Sequence, residues 1–267
     1  MVFELSAWRL LNLETRNAFM NMAVDEAVLR ARIENIAPNT LRFYCWKPSG
    51  VSIGKFQGVE NEVQLKSCRK HGVDVVRRIT GGGAVYHAAD DEVTYSVIAG
   101  KEDLGAEDIA DVYARIYAGL AEAIKILGMN ADFNEGDAKV CPNLTVEGRK
   151  ISGSAQSHKR GVVLQHGTLL LRANLEEMFT FLRVPWAKTR MEILDVAKHK
   201  ITSISDELRK DVSVAEVNNA LVEGFQEVLN VKLADGKLTA YERELAEKLC
   251  KEKYATDGWN LHGRSPQ

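Results

Sequence analysis

The 267-residue chain carries 35 basic and 37 acidic residues, a formal net charge of −2, and 45% of its residues are hydrophobic. That length supports a core of native size in a single domain spanning 1–267, and the balanced charge gives no global attraction to nucleic acid or an acidic membrane surface. No apolar run approaches the ~18 residues of a membrane span, and residues 1–8 lack the basic-then-apolar pattern of a signal peptide.

Residues 21–32, with Met22, Val24, Val28 and Leu29 among good helix formers, predict the first helix. Strand patterns follow at 41–46 and 50–54, separated by Lys47-Pro48-Ser49 as a turn. Residues 73–78 form another candidate strand, entering Gly81-Gly82-Gly83, and the β-branched run 93–99 predicts a strand that pairs nearby. Ile109, Val112, Tyr113, Ile116, Leu120 and Ile124 recur at steps of three and four, which lines one face of a helix, and Gly128 ends it. Residues 144–146 and 150–152 flank Glu147-Gly148-Arg149 as a hairpin would, and 162–164 and 168–171 read as buried strands. Two helices close the chain, one with apolar spacing from Val214 to Val228, the other at Tyr241, Leu245 and Leu249. The expectation is an α+β domain, one sheet system covered by helices. Four cysteines (Cys45, Cys68, Cys141, Cys250) lack metal-ligand spacing, so reduced cytoplasmic thiols are expected and no metal site.

Three stretches can carry chemistry. Residues 77–87 read Arg-Arg-Ile-Thr-Gly-Gly-Gly-Ala-Val-Tyr-His. Three consecutive glycines suit a backbone that bends tightly or lies against a ligand, and the Arg77 and Arg78 guanidinium forks suit a phosphate or carboxylate. The alternative is a hairpin turn with solvated arginines. The loop is not a P-loop, because the Gly-Lys-Ser/Thr ending is missing. In the second stretch, 146–156, Lys150 sits beside apolar Ile151 and small Gly153, Ser154 and Ala155. It can hold an acyl carbonyl or phosphate oxygen as a point charge, or be a solvated hairpin lysine. In the third, 161–170, His166 on an apolar strand fits a satisfied core histidine as well as a functional one.

Together these stretches resemble the lipoate–protein ligase A and octanoyltransferase family of the biotin/lipoate protein ligase superfamily. Residues 77–87 are similar to its Arg-Arg-x-x-Gly-Gly-Gly-x-Val-x-His signature, 148–156 to its Gly-(Lys/Arg)-Lys-Ile-x-Gly-x-Ala segment, and 165–170 to its His-Gly-Thr-Leu-Leu strand. The tail, 253–260, resembles its Lys-Tyr-x-x-x-x-Trp-Asn ending. The resemblance implies a mixed β-sheet flanked by helices, as in biotin–protein ligases, with the acyl chain in an apolar tunnel. It implies substrate contacts from Arg77, Arg78, Thr80, Gly81, Gly82, Gly83, Val85 and His87, from Gly153, Ser154 and Ala155, and from His166, Gly167 and Thr168. Lys150 corresponds to the lysine that contacts the acyl carbonyl and, in ligases, the adenylate phosphate.

Two chemistries share that scaffold. A ligase activates lipoate or octanoate with ATP and Mg²⁺ and transfers it to a lysine of a lipoyl carrier domain, such as a glycine-cleavage carrier or a 2-oxoacid dehydrogenase subunit. An octanoyltransferase takes octanoyl from acyl carrier protein, in one branch through a cysteine; Cys141, nine positions before Lys150, leaves that route open, the alternative being an inert thiol beside Pro142. The triple glycine puts the ligase first. Pro142-Asn143-Leu144, where ligases have Asn-Asp before the strand, and Ala88, where many relatives have Asp, pull toward the transferase. No further C-terminal domain follows Gln267, so a ligase would need a separate accessory subunit. A third reading is an inert relative that binds lipoyl groups or carrier domains.

Overall fold

The computed structural model describes residues 6–136, 141–187 and 189–264. β1 (Ser6–Arg16) leads into α1 (Ala18–Ile33), whose Asn17 side chain accepts from the Met20 N–H and caps the helix. β2 (Thr40–Trp46) and β3 (Gly50–Ile53) precede short helices α2 (Val59–Glu62) and α3 (Leu65–His71). β4 (Asp74–Arg77), the glycine loop, β5 (Val85–His87) and β6 (Glu92–Gly100) follow. Next come α4 (Ile109–Ile126), β7 (Asp132–Asn134), β8 (Asn143–Val146), β9 (Arg149–Lys159) and β10 (Val162–Leu170). Helices α5 (Leu175–Phe181), α6 (Arg190–Ala197), α7 (Ile204–Leu208) and α8 (Val214–Leu229) lead to β11 (Val231–Asp235). α9 (Ala240–Leu249) and α10 (Asp257–Asn260) are the last elements described.

Eight strands form a mixed sheet in the order β11-β1-β2-β6-β10-β9-β8-β7. β1 runs parallel to both its neighbours, whereas the remaining pairs along that order, from β2–β6 to β8–β7, are antiparallel. Successive strand residues face opposite sides, and both sides are covered. Leu41 and Phe43 of β2 and Tyr95 and Val97 of β6 pack with α4 and α8, while Tyr44, Trp46 and Ile98 pack with α1 and α9. The result is a helix–sheet–helix sandwich, as the sequence pattern and resemblance predict.

The expectation of one sheet system is corrected. A second sheet, β4-β3-β5, has its own apolar cluster of Val51, Ile53, Val59, Tyr86 and Phe181. The turn at 47–49 is present, but it carries the chain off the large sheet, so β2 and β3 belong to different sheets. The separate strand patterns at 162–164 and 168–171 are one continuous strand, β10. The hairpin between β8 and β9 is a two-residue turn with Glu147 and Gly148 at φ 48° and 74°, the left-handed pair that suits the twist of antiparallel strands. Among the described residues, no helix is long and apolar enough to cross a membrane.

Candidate active site

A cavity of about 330 Å³ opens between the two sheets. One wall is the glycine loop. Arg78 donates from Nε and Nη2 to Gly81 O (3.2 and 2.7 Å), from Nη2 to Gly83 O (2.7 Å), and from Nη1 to Ser52 O and Oγ (3.1 Å each). The loop is therefore wound around a guanidinium. Gly82 has φ 85°, and a Cβ on Gly54 would lie 2.1 Å from Gly82 O, so both backbones need glycine here. Burial lowers the Arg78 pKa to about 10.

The opposite wall is β9. Its pairing with β8 shifts register between Leu144 and Thr145, and the Lys150 backbone bonds instead to the 200–202 segment, donating to Lys200 O (2.8 Å) and accepting from Thr202 N–H (3.0 Å). A bulge of this kind re-aims a side chain. Lys150 is accessible from the cavity lumen yet lies deep within it. Desolvation lowers its pKa, the nearby Cys141 opposes that shift, and the Arg78 charge adds to it. A neutral amine is therefore reached at lower pH than in a free lysine.

Two hydroxyl–imidazole–carboxylate chains hold the cavity floor. His166 Nδ1 lies 2.9 Å from Asp25 Oδ2 and its Nε2 2.8 Å from Thr80 Oγ1. Burial lowers the His166 pKa, so the ring is neutral, donating to Asp25 from Nδ1 and accepting the Thr80 hydroxyl at Nε2. Burial pushes the Asp25 carboxyl up, but His166 and Arg42 outweigh it and hold it below the usual range. In the second chain, His87 Nδ1 lies 2.7 Å from Glu92 Oε1 and its Nε2 2.8 Å from Ser52 Oγ, with the ring stacked on Trp46 at 3.8 Å. Both hydroxyls are already hydrogen-bonded, so the chains brace the floor and the glycine loop.

Cys141 also lines the cavity. It is the exposed one of the four thiols; Cys45 and Cys68 are buried and pushed up to about 11, and burial raises Cys250 as well.

Of the residues expected from the sequence, Arg78, Gly82, Gly83, Val85, His87, Cys141, Lys150, Gly153, Ser154, Ala155, His166, Gly167 and Thr168 line this one cavity. Arg77, Thr80 and Gly81 do not. Arg77 turns away to bond the backbone oxygens of Gly54, Lys55, Gln57, Trp259 and Asn260. Backbone carbonyls engage the donors of both guanidinium forks, with Arg78 at the cavity wall and Arg77 behind it. Thr80 reaches the cavity only through His166. Lining residues that the sequence did not single out include Met22, Tyr44, Trp46 and Ser52, and Met178 and Phe179 of α5. Alternation along β2, with Tyr44 and Trp46 on one face, was the available signal for two of them.

A family model described as the lipoyl protein ligase A/B catalytic domain matches residues 17–226. The octanoyltransferase LipM of Kyrpidia tusciae is 39% identical, with 96% of this chain and 99% of that protein covered. LipM of Brevibacillus brevis is 36% identical, covering 95% and 98%. Among solved structures, the bipartite lipoate protein ligase of Thermoplasma acidophilum, described with its E2 lipoyl domain, superposes with a TM-score of 0.85 at 30% identity, covering 99% of each chain.

Proposed function

The chain belongs to the lipoyl protein ligase A/B catalytic-domain family, and from that membership we propose an octanoyltransferase that carries octanoyl from acyl carrier protein, through a Cys141 thioester, to a lysine of a lipoyl carrier domain. The observation that carries this reading is the meeting of an exposed Cys141 with Lys150 in one cavity. It reverses the order expected from the triple glycine, because whole-length relatives weigh more than a single loop motif.

The chemistry follows from the two groups. Neutral Lys150 accepts the Cys141 thiol proton, and the thiolate attacks the octanoyl carbonyl. The bond to the carrier sulfur breaks, and that sulfur leaves with the proton held on Lys150. In the second half, the neutral amine of the acceptor lysine attacks the acyl-Cys141 carbonyl and forms the amide. Cys141 departs as a thiolate, and the proton lost by the amine nitrogen returns through Lys150. The apolar side chains of Met22, Tyr44, Trp46, Met178 and Phe179 in the cavity lining suit an alkyl chain.

The likeness to the Thermoplasma ligase favours a second reading, lipoate ligation with ATP, Mg²⁺ and an accessory subunit. Among the described lining residues, Lys150 supplies a cation for a phosphate, but no carboxylate is present to hold Mg²⁺. One competition separates the two. Unmodified lipoyl carrier domain is offered lipoate with ATP and Mg²⁺ together with octanoyl acyl carrier protein, and intact masses are read. An octanoyl increment on the carrier, with octanoyl trapped on wild-type enzyme but not on Cys141→Ser, is expected. A lipoyl increment that survives Cys141→Ser overturns the transferase. Near-normal turnover by Lys150→Ala sinks both readings.

A further inference from the structure

We infer that Tyr117 is a positioning residue for the nucleophile, tying the Cys141 segment to the strand that carries Lys150 through a two-bond bridge. The inference rests on the proposed role of Cys141. Tyr117 lies on α4, far in sequence from the motifs above. Its hydroxyl donates to Pro142 O (2.9 Å) and accepts from Ser154 Oγ (2.8 Å), and Ser154 in turn accepts from Gln165 Nε2 (3.1 Å). Pro142 follows the cysteine, and Ser154 lies on β9 four positions after Lys150. One phenol oxygen thus joins the flank of the thiol to the strand of the lysine.

The neighbouring geometry concentrates the constraint at that point. A residue before proline is restricted to extended backbone, and the proline ring locks its own φ. The Asn143 side chain donates to Cys141 O at 3.1 Å. What remains is the orientation of the peptide after Pro142, and its carbonyl is the atom Tyr117 holds. The ring cannot drift: Tyr117 is fully buried, its ring packing on Phe133 at 5.1 Å and Tyr113 at 6.1 Å. Burial raises the phenol pKa, so the hydroxyl keeps its proton and remains a donor to the carbonyl. Among the described residues, the segment after Cys141 is otherwise anchored by the pairing of Asn143 with Gly153 of β9 and Asn134 of β7, one residue beyond the carbonyl that Tyr117 holds. A misplacement of about 1 Å at a reacting group costs on the order of 10²-fold in rate, which sets the expected effect.

The test uses the full-length enzyme, its Tyr117→Phe and Ser154→Ala variants, and octanoyl acyl carrier protein as donor. Acyl-enzyme formation is followed by rapid-quench intact mass over a range of donor concentrations. Melting temperatures are recorded. Tyr117→Phe keeps the ring and its stacking. The inference expects kcat for acylation to fall by about 10²-fold with KM for the donor unchanged. It also expects Ser154→Ala to show the same pattern more weakly. Wild-type acylation rates in Tyr117→Phe, or a loss carried by KM, overturn it. If Tyr117→Phe melts early, Ser154→Ala decides: wild-type rates there overturn the inference, and a kcat loss at wild-type melting temperature supports it. Failure of the proposed function looks different, because wild-type enzyme would then form no thioester on Cys141.

Discussion

The Lys150 side chain lies over Gly153: a Cβ added at residue 153 would sit 2.6 Å from Nζ and 2.7 Å from Cε. Gly153 is thus the floor on which the lysine rests. Its own carbonyl fills the space beside Gly167, where a Cβ would meet Gly153 O at 2.4 Å, so β9 and β10 are packed as closely as backbone allows.

Gly153→Ala is expected to displace the lysine without unfolding the protein. The obstructed atoms are the far end of a long, mobile side chain, which swings aside at little energetic cost. Acyl transfer should fall by about 10²-fold, the loss expected for a reacting group misplaced by about 1 Å. Turnover and thermal melting measured on the same preparation check this. Wild-type turnover would mean that the lysine does its work from some other position.

What the sequence made legible was local. The three- and four-residue steps of Val112, Ile116, Leu120 and Ile124 predicted α4 because burial follows helical period. The glycines and Lys150 stood out because their residue types are informative without partners. β1 escaped notice because it bulges: Leu13 sits at φ 34° and the register with β2 shifts between Leu11 and Glu14, which breaks the alternation that marks a strand. The backbone partners of the arginine pair were hidden for a different reason. The oxygens that engage Arg77 include those of Trp259 and Asn260, 182 and 183 positions away, and no local pattern announces such partners. Tyr117 and Trp46 were hidden likewise, since each reads as an ordinary core aromatic until the fold brings Trp46 to the cavity and Tyr117 to Pro142 and Ser154.

Asp25 is the anion at the centre of a buried cluster, bonded to Arg42 (2.7 Å), Tyr44 (3.0 Å) and His166 (2.9 Å). Asp25→Asn keeps the shape but leaves the Arg42 charge without its buried counter-ion, at a cost of about 3–5 kcal/mol. Because the folded carboxyl is held below the 3.8 of an ordinary aspartate, its stabilisation is fully present above that value and disappears as pH falls through the folded one. Urea denaturation should therefore show a constant gap between wild type and variant from pH 7 down to about pH 4, narrowing below it. A gap that widens in acid would contradict the assignment.

Arg77 stitches three segments together: the loop after β3, through Gly54, Lys55 and Gln57; the base of the glycine loop; and α10, through Trp259 and Asn260. The tail answers in kind, with Trp259 Nε1 donating to Arg77 O at 2.7 Å and Asn260 Oδ1 accepting from Arg77 N–H at 2.9 Å. Arg77→Lys should not rescue this site, because a point cation cannot serve carbonyls spread around a planar fork. Each buried acceptor left bare costs about 1–3 kcal/mol, so a loss of at least about 3 kcal/mol is expected for Lys or Met. Faster amide exchange in residues 257–264 should accompany it. Unchanged exchange there would separate the arginine from the tail.

The four thiols should differ sharply in reactivity, and the order follows from their surroundings. Only the thiolate reacts with iodoacetamide. Burial raises Cys45 and Cys68 to about 11 and also shields their sulfurs, while Cys250 is half-buried and raised. Cys141 is exposed and opens into the cavity that Lys150 also lines. Brief alkylation near pH 7.5 should therefore add one carbamidomethyl group, located at Cys141 by peptide mass. Octanoyl acyl carrier protein added first should block it, since the acylated sulfur has no thiolate to offer. Lys150→Ala tests the base: without the amine that accepts the thiol proton, acylation of Cys141 by octanoyl acyl carrier protein should fall sharply while the buried thiols stay silent. If Cys250 reacts first in the wild type, or if the donor gives no protection, the thiol in the cavity is not the acyl carrier.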